Sequence, residues 1–172
     1  MGAPLIVEPY RLHPSYTPAL HRAEEVAEQA ARLVTRKMRE RLPHVTVRVS
    51  GERLFAGAIT EAAQQALGTD WLPTGACHGS AVYGAMTLGP SGAVIVLNAK
   101  ACIQDRCLST TLVHELVHAV QLNRPGGVRH QATALRGLFG LSKERPTPAF
   151  DRQHDRNERE AQSLEYLARE IR

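Results

Sequence analysis

Leu112-Val113-His114-Glu115-Leu116-Val117-His118-Ala119-Val120 is the stretch on which the reading of this 172-residue chain turns. It holds the pattern His-Glu-x-x-His in a segment free of glycine and proline. A helix from Asp105 or Ser109 to Leu122, stopped by Pro125-Gly126-Gly127, is the natural reading. Side chains four apart on an α-helix stand one turn above each other, so His114 and His118 can reach a single metal ion. Glu115 lies beside them, where a carboxylate can take a proton from water activated by that metal. Leu112, Val113, Leu116, Val117 and Val120 make the helix apolar almost all round, which predicts burial. Buried polar groups without partners are costly, so two histidines and a glutamate carried inward imply a site. Zinc is the expected metal and hydrolysis the expected chemistry.

Working outward, Ala93-Val94-Ile95-Val96-Leu97-Asn98 reads as a strand, and Gly89-Pro90-Ser91-Gly92 as the turn joining it to a strand over Ala81 to Leu88. The two predict a hairpin immediately before the metal helix. Further upstream, Thr17 to Arg41 has a 3.6-residue apolar rhythm ended by Pro43. His44 to Val49 alternates as a strand with one face buried, and Glu52 to Leu67 reads as a second helix. Downstream, a short helix is expected around Val128 to Leu141 and a last one from Arg152 to Ile171. Residues 1–16 carry Pro4, Pro9 and Pro14 and read as an extended arm on the surface. Residues 17–172 then form a single α+β domain, with N-terminal helices and a small mixed sheet packed on the metal helix and the C-terminal helix.

Composition narrows the function. Hydrophobic residues at 43% and charged residues at 22% are those of a globular domain with a real core. No run of eighteen apolar residues occurs and the first eight residues lack the pattern of a secretory signal, so a cytoplasmic protein without a membrane partner is expected. The net charge of +4 is modest, aromatics are only 5%, and no dense basic cluster appears, which argues against a nucleic-acid partner. The oligomeric state is not legible. Cys77, Cys102 and Cys107 form no Cys-x-x-Cys pair and are odd in number, so reduced thiols are expected. A Cys102–Cys107 bridge and a Cys77 thiolate on the metal are the alternatives.

Two histidines need a third protein ligand if zinc is to keep one position open for water. Gln121 and Arg124 stand where the metzincin pattern requires Gly and His, which excludes that family. Asn157-Glu158-Arg159-Glu160-Ala161-Gln162 resembles the ligand helix of the gluzincins, in which a glutamate is followed four residues later by a hydrogen-bonding residue. Glu158, with Gln162 at that place, matches; Glu160, with Leu164, does not. Periodicity pulls the other way, because Leu164, Leu167, Ala168 and Ile171 define a face whose middle is nearer Glu160. His130 is the third candidate, since His-Glu-x-x-His followed a dozen residues later by a histidine resembles the SprT-like proteases. Among gluzincins, Val94–Asn98, Leu112–Gln121 and Glu158–Ala168 are most similar to compact ImmA/IrrE-like metallopeptidases of bacteria and phages, although the tail typical of those proteins is missing.

The resemblance implies a zincin fold and a zinc peptidase acting on a peptide or protein substrate. His114, His118 and Glu158 would hold zinc, and Glu115 would serve as general base. An oxyanion donor would come from Tyr166, His130 or Tyr83, and the strand ending at Asn98-Ala99 would be the edge on which the peptide lies. Hydrolysis of a non-peptide amide would use the same residues. A non-catalytic interaction protein on the same fold is the rival class, disfavoured because zinc binding alone does not require Glu115.

Overall fold

A computed structural model describes residues 4–69, 72, 83–142 and 146–172. These form an α+β structure with five α-helices and a four-stranded mixed sheet. The strands are β1 (Leu5–Pro9), β2 (Val45–Ser50), β3 (Gly84–Gly89) and β4 (Gly92–Asn98), in the spatial order β1-β2-β4-β3. β1 pairs parallel to β2 and β2 parallel to β4, while β3 returns antiparallel to β4 through the expected tight hairpin. The helices are α1 (Thr17–Met38), α2 (Glu52–Leu67), α3 (Asp105–Leu122), α4 (Gly127–Leu138) and α5 (Pro148–Leu164), with 3₁₀ turns over Glu165–Glu170. No helix among the described residues is long and apolar enough to cross a membrane.

Strand periodicity explains the layering. Val45, Val47 and Val49 of β2 and Ala93, Ile95 and Leu97 of β4 point to one face, where α1 and α3 cover them. Val94 and Val96 point to the other, against Phe55, Ala58, Ile59 and Ala62 of α2. β4 is therefore apolar on both faces and reads as an unbroken hydrophobic run, as expected of a strand inside a sheet. β2 alternates because its second face is polar there: Arg48 pairs with Glu8 of β1 and Glu61 of α2.

α3 sits at the centre, with Leu112, Val113, Leu116, Val117, Ala119 and Val120 fully buried. Each buried leucine or valine contributes about 1.5–3 kcal/mol, so Leu112→Ala should cost about 2–5 kcal/mol once the cavity is counted. Gly84 lets β3 lie directly on this helix: a Cβ there would come within 2.6 Å of Thr111 Cγ2.

Three expectations need correction. Residues 5–9 are not a surface arm but the outer parallel strand of the sheet, registered on β2 from Leu5↔Val45 to Pro9↔Val49. The strand ending at Asn98 is not an edge. β2 and β3 flank β4 on either side, and among the described residues β3 is the outer strand beside α3. The last helix does not run to Ile171, because α5 ends at Leu164 and tightens into 3₁₀ turns. Residues 81 and 82 of the expected strand, and Cys77, lie outside the described residues.

Candidate metal centre

α3 presents His114 and His118 one turn apart, with their ring centroids 4.8 Å apart. α5 crosses α3 and brings Glu158 to both. Glu158 Oε1 lies 3.1 Å from His118 Nε2 and Oε2 lies 3.6 Å from His114 Nε2. The two Nε2 atoms are themselves 3.1 Å apart. One ligand atom from each of the three residues falls within 4.8 Å of the others, and among the described residues no other group of histidine, cysteine or acidic side chains does so.

The far side of each imidazole decides which nitrogen carries the proton. His114 Nδ1 is 2.8 Å from Glu165 Oε1, and a carboxylate can only accept. His118 Nδ1 is 2.8 Å from Gln121 Oε1. The Gln121 amide is oriented by its other end, whose Nε2 donates to the Asn157 carbonyl at 3.0 Å and to Glu160 Oε2 at 2.9 Å. Both Nδ1 atoms are thus donors, and both Nε2 lone pairs face one another and a carboxylate. Such a set of acceptors could hold a cation at its centre, and two imidazoles with one carboxylate are a donor set that fits zinc.

In the metal-free protein that cation is a proton. Burial alone would lower the pKa of His114, but Glu158, Glu115 and Glu165 together lift it to about 9. His118 is raised against its own burial by Glu158 and Glu115. Hydrogen bonds from the two histidines hold Glu158 well below the usual carboxylate range. Glu115 behaves oppositely. It is 8% exposed, and burial pushes its pKa up, although both histidines and the backbone N–H of Met86 pull it back. A buried carboxylate poised upward beside a cationic centre is suited to trading protons.

The cluster opens into a cleft of about 350 Å³ between β3 on one side and α4 and α5 on the other. The amide of Asn98 donates to the carbonyl of Tyr83 at 2.9 Å. The pairing alternates from there, so Gly84 and Met86 turn their peptide groups away from β4, toward the cleft.

The remaining candidate residues separate clearly. Glu160 stands outside the three-residue cluster; it forms a two-pronged ion pair with Arg124, at 2.7 and 2.9 Å, that also takes in Glu40. His130 stands outside the three-residue cluster but lines its cleft, stacked on Phe150, with Nε2 buried and without a hydrogen-bond partner among the described residues. Burial and the neighbouring His154 lower its pKa. Tyr83 lines the continuation of the cleft, whereas Tyr166 belongs to a hollow beyond Glu165. Asn98 and Ala99 are buried away from the site, where Asn98 Oδ1 accepts from the amides of Lys100 and Ala101.

Gln162 does not bond either histidine ring; that task falls to Glu165 and Gln121. Glu165 lies seven residues after Glu158, two turns along the same face, and Gln121 three after His118. These spacings were the available signal. Cys102 and Cys107 are free thiols with their sulfurs 3.8 Å apart, and burial pushes Cys102 up to about 12. No protein-family model, curated protein or solved structure matches the chain.

Proposed function

We propose that the protein is a zinc-dependent peptidase of zincin type, with His114, His118 and Glu158 as metal ligands and Glu115 as general base. The observation that carries this reading is the convergence of two Nε2 lone pairs and one carboxylate on a single point, beside a buried glutamate and an open strand edge. A bound zinc ion supplies Lewis acidity, which brings the pKa of water down to ~7.

The chain's own groups do the rest. Glu165 and Gln121 hold the ligand imidazoles in the tautomer that leaves Nε2 free. Glu115 accepts the proton of the attacking water at its carboxylate and returns it to the leaving amine nitrogen, a task its raised pKa favours. The N–H of Met86 fixes that carboxylate in place. Peptide substrates lie antiparallel along β3, using the outward N–H and C=O of Gly84. His130, which lines the same cleft, is the candidate donor to the oxygen that gains charge.

The test has two stages. The protein purified with zinc in the buffer should retain close to one equivalent after desalting, and Glu158→Ala should not. Glu115→Gln should retain zinc yet lose activity by more than about a hundredfold on any peptide the wild type cleaves. Zinc retained in full by Glu158→Ala but lost from His130→Ala would move the reading to the SprT-like alternative. Glu115→Gln with unchanged turnover would refute the assigned base.

A further inference from the structure

The cleft continues past His114. Toward the start of α3 it becomes a groove with Cys107, Thr110 and Thr111 on one wall and Tyr83 and Gly84 on the other. Beyond Glu165 it joins a hollow of about 540 Å³ bordered by Arg22, Arg106 and Arg169. These arginines come from α1, α3 and the closing 3₁₀ turns, so they are far apart in sequence and gathered only by the fold. Among the described residues, the one acidic group shared with the groove, Glu165, is already bound to His114, and Arg22 is paired with Glu25. Among the described residues, no carboxylate lies within ion-pair distance of Arg106 or Arg169.

We propose that this hollow selects peptides carrying a carboxylate about three or four residues to the carboxyl side of the cleaved bond. The proposal rests on the peptidase reading above and names its substrate class. Direction follows from β3. The strand starts at the arginine end, beside Tyr83, and runs toward Met86 at the His130 end. An antiparallel peptide therefore has its amino-terminal half beside Met86 and sends its carboxyl-terminal half toward Arg106. Distance follows from α3. Eight residues separate His114 from Arg106, ~12 Å at the helical rise, and an extended peptide covers ~3.3 Å per residue. An Asp or Glu side chain and the chain's own terminal carboxylate both supply the charge.

The zinc-loaded protein should be given unstructured peptides in matched forms: Asp or Glu at the third or fourth position after the cut, the Asn or Gln counterpart, and each with a free or amidated carboxyl terminus. Acidic forms should be cleaved about tenfold faster at low salt, and the advantage should shrink at high salt. Arg106→Gln with Arg169→Gln should erase that advantage while leaving neutral peptides unaffected. Loss of preference on amidation alone assigns the charge to the chain terminus; loss on Asp→Asn or Glu→Gln alone assigns it to a side chain.

A second readout needs no turnover. Fluorescence anisotropy of labelled acidic and neutral peptides on Glu115→Gln protein should show the same discrimination. Equal cleavage and equal binding of acidic and neutral peptides would overturn the inference and leave the peptidase reading standing. Absence of cleavage with selective binding would retain the arginine site and reject the peptidase reading.

Discussion

Glu165 Oε1 stands 2.8 Å from Nδ1 of His114, seven residues beyond Glu158, so one helical run supplies both a proposed ligand and the partner of another. The carboxylate fixes the ring orientation and makes Nε2 more basic. Groups in this position commonly change metal affinity by ~10–100-fold. Glu165→Ala should therefore weaken zinc binding by about that factor, measured by competition with a chromophoric chelator. Glu165→Gln, whose amide oxygen can still accept, should lose less. Gln162→Ala should bind zinc like the wild type, and equal losses at 162 and 165 would contradict the assignment.

Arg124 is the tie that seats α5 on α3. Its guanidinium grips Glu160 on one side and Glu40, just past α1, on the other, and Gln121 links the same Glu160 to His118. The side chains are 30%, 35% and 34% exposed for Arg124, Glu160 and Glu40, so water screens part of the attraction. Arg124→Ala should cost about 1–2 kcal/mol in denaturant unfolding after that discount, and it leaves two carboxylates facing each other. A double-mutant cycle with Glu160→Ala should show coupling. Zinc affinity should fall a few-fold through Gln121. Independent, additive effects would show that the triad does not act as one clamp.

Why was Glu160 attractive in the sequence, and what hid its true role? A face built from Leu164, Leu167, Ala168 and Ile171 presumes a continuous α-helix. After Leu164 the chain is 3₁₀, which advances about 120° per residue instead of about 100°, so six residues displace the face by about 120°. Spacing within the true α-helix pointed to Glu158. Helix α3 and the hairpin were legible because both are short-range patterns: a buried helical run with two inward histidines, and two strands joined by a glycine-bearing turn. The identity of the edge strand was not, since it depends on β2 inserting beside β4 from forty-odd residues upstream, a pairing no local pattern records. β1 was hidden by its prolines, which an outer strand tolerates. The partners of the histidines were missed for the same reason as Arg124: each joins two elements that meet only in the folded chain.

Gly84 sets the distance between β3 and α3, and with it the seat of Glu115 beneath Met86. A methyl group there meets Thr111 Cγ2 at 2.6 Å and Leu97 Cδ2 at 3.2 Å. Overpacking of this kind costs about 1–3 kcal/mol, so Gly84→Ala should lower the unfolding midpoint and reduce turnover more than it reduces zinc content. Thr111→Ser removes the nearest atom and should recover part of both losses in the double variant. Zinc loss in step with turnover would mean that the strand supports the ligands rather than the base.

In the proposed site, protons and metal would compete for the same three side chains, which sets the expected pH behaviour. In the metal-free protein His114 is raised from 6.5 to about 9, so its contribution to stability is complete below pH 6.5 and disappears as pH rises through 9. Glu158 is lowered from 4.5, so its contribution is present above 4.5 and fades as acid drives the pH toward its folded value. The apo protein should accordingly be most stable between about pH 4.5 and 6.5, as far as these two groups decide. Zinc in the proposed site should reverse the upper limit, because a ligating His114 must be deprotonated. Binding at pH 7 should release about one proton or more, seen as a buffer-dependent heat in calorimetry, and apparent affinity should rise about tenfold per pH unit until pH 9. His114→Ala should abolish both the proton release and the loss of apo stability at alkaline pH. A buffer-independent binding heat at pH 7 would show that the histidine is already neutral, and that the facing lone pairs are held apart by something other than a shared proton.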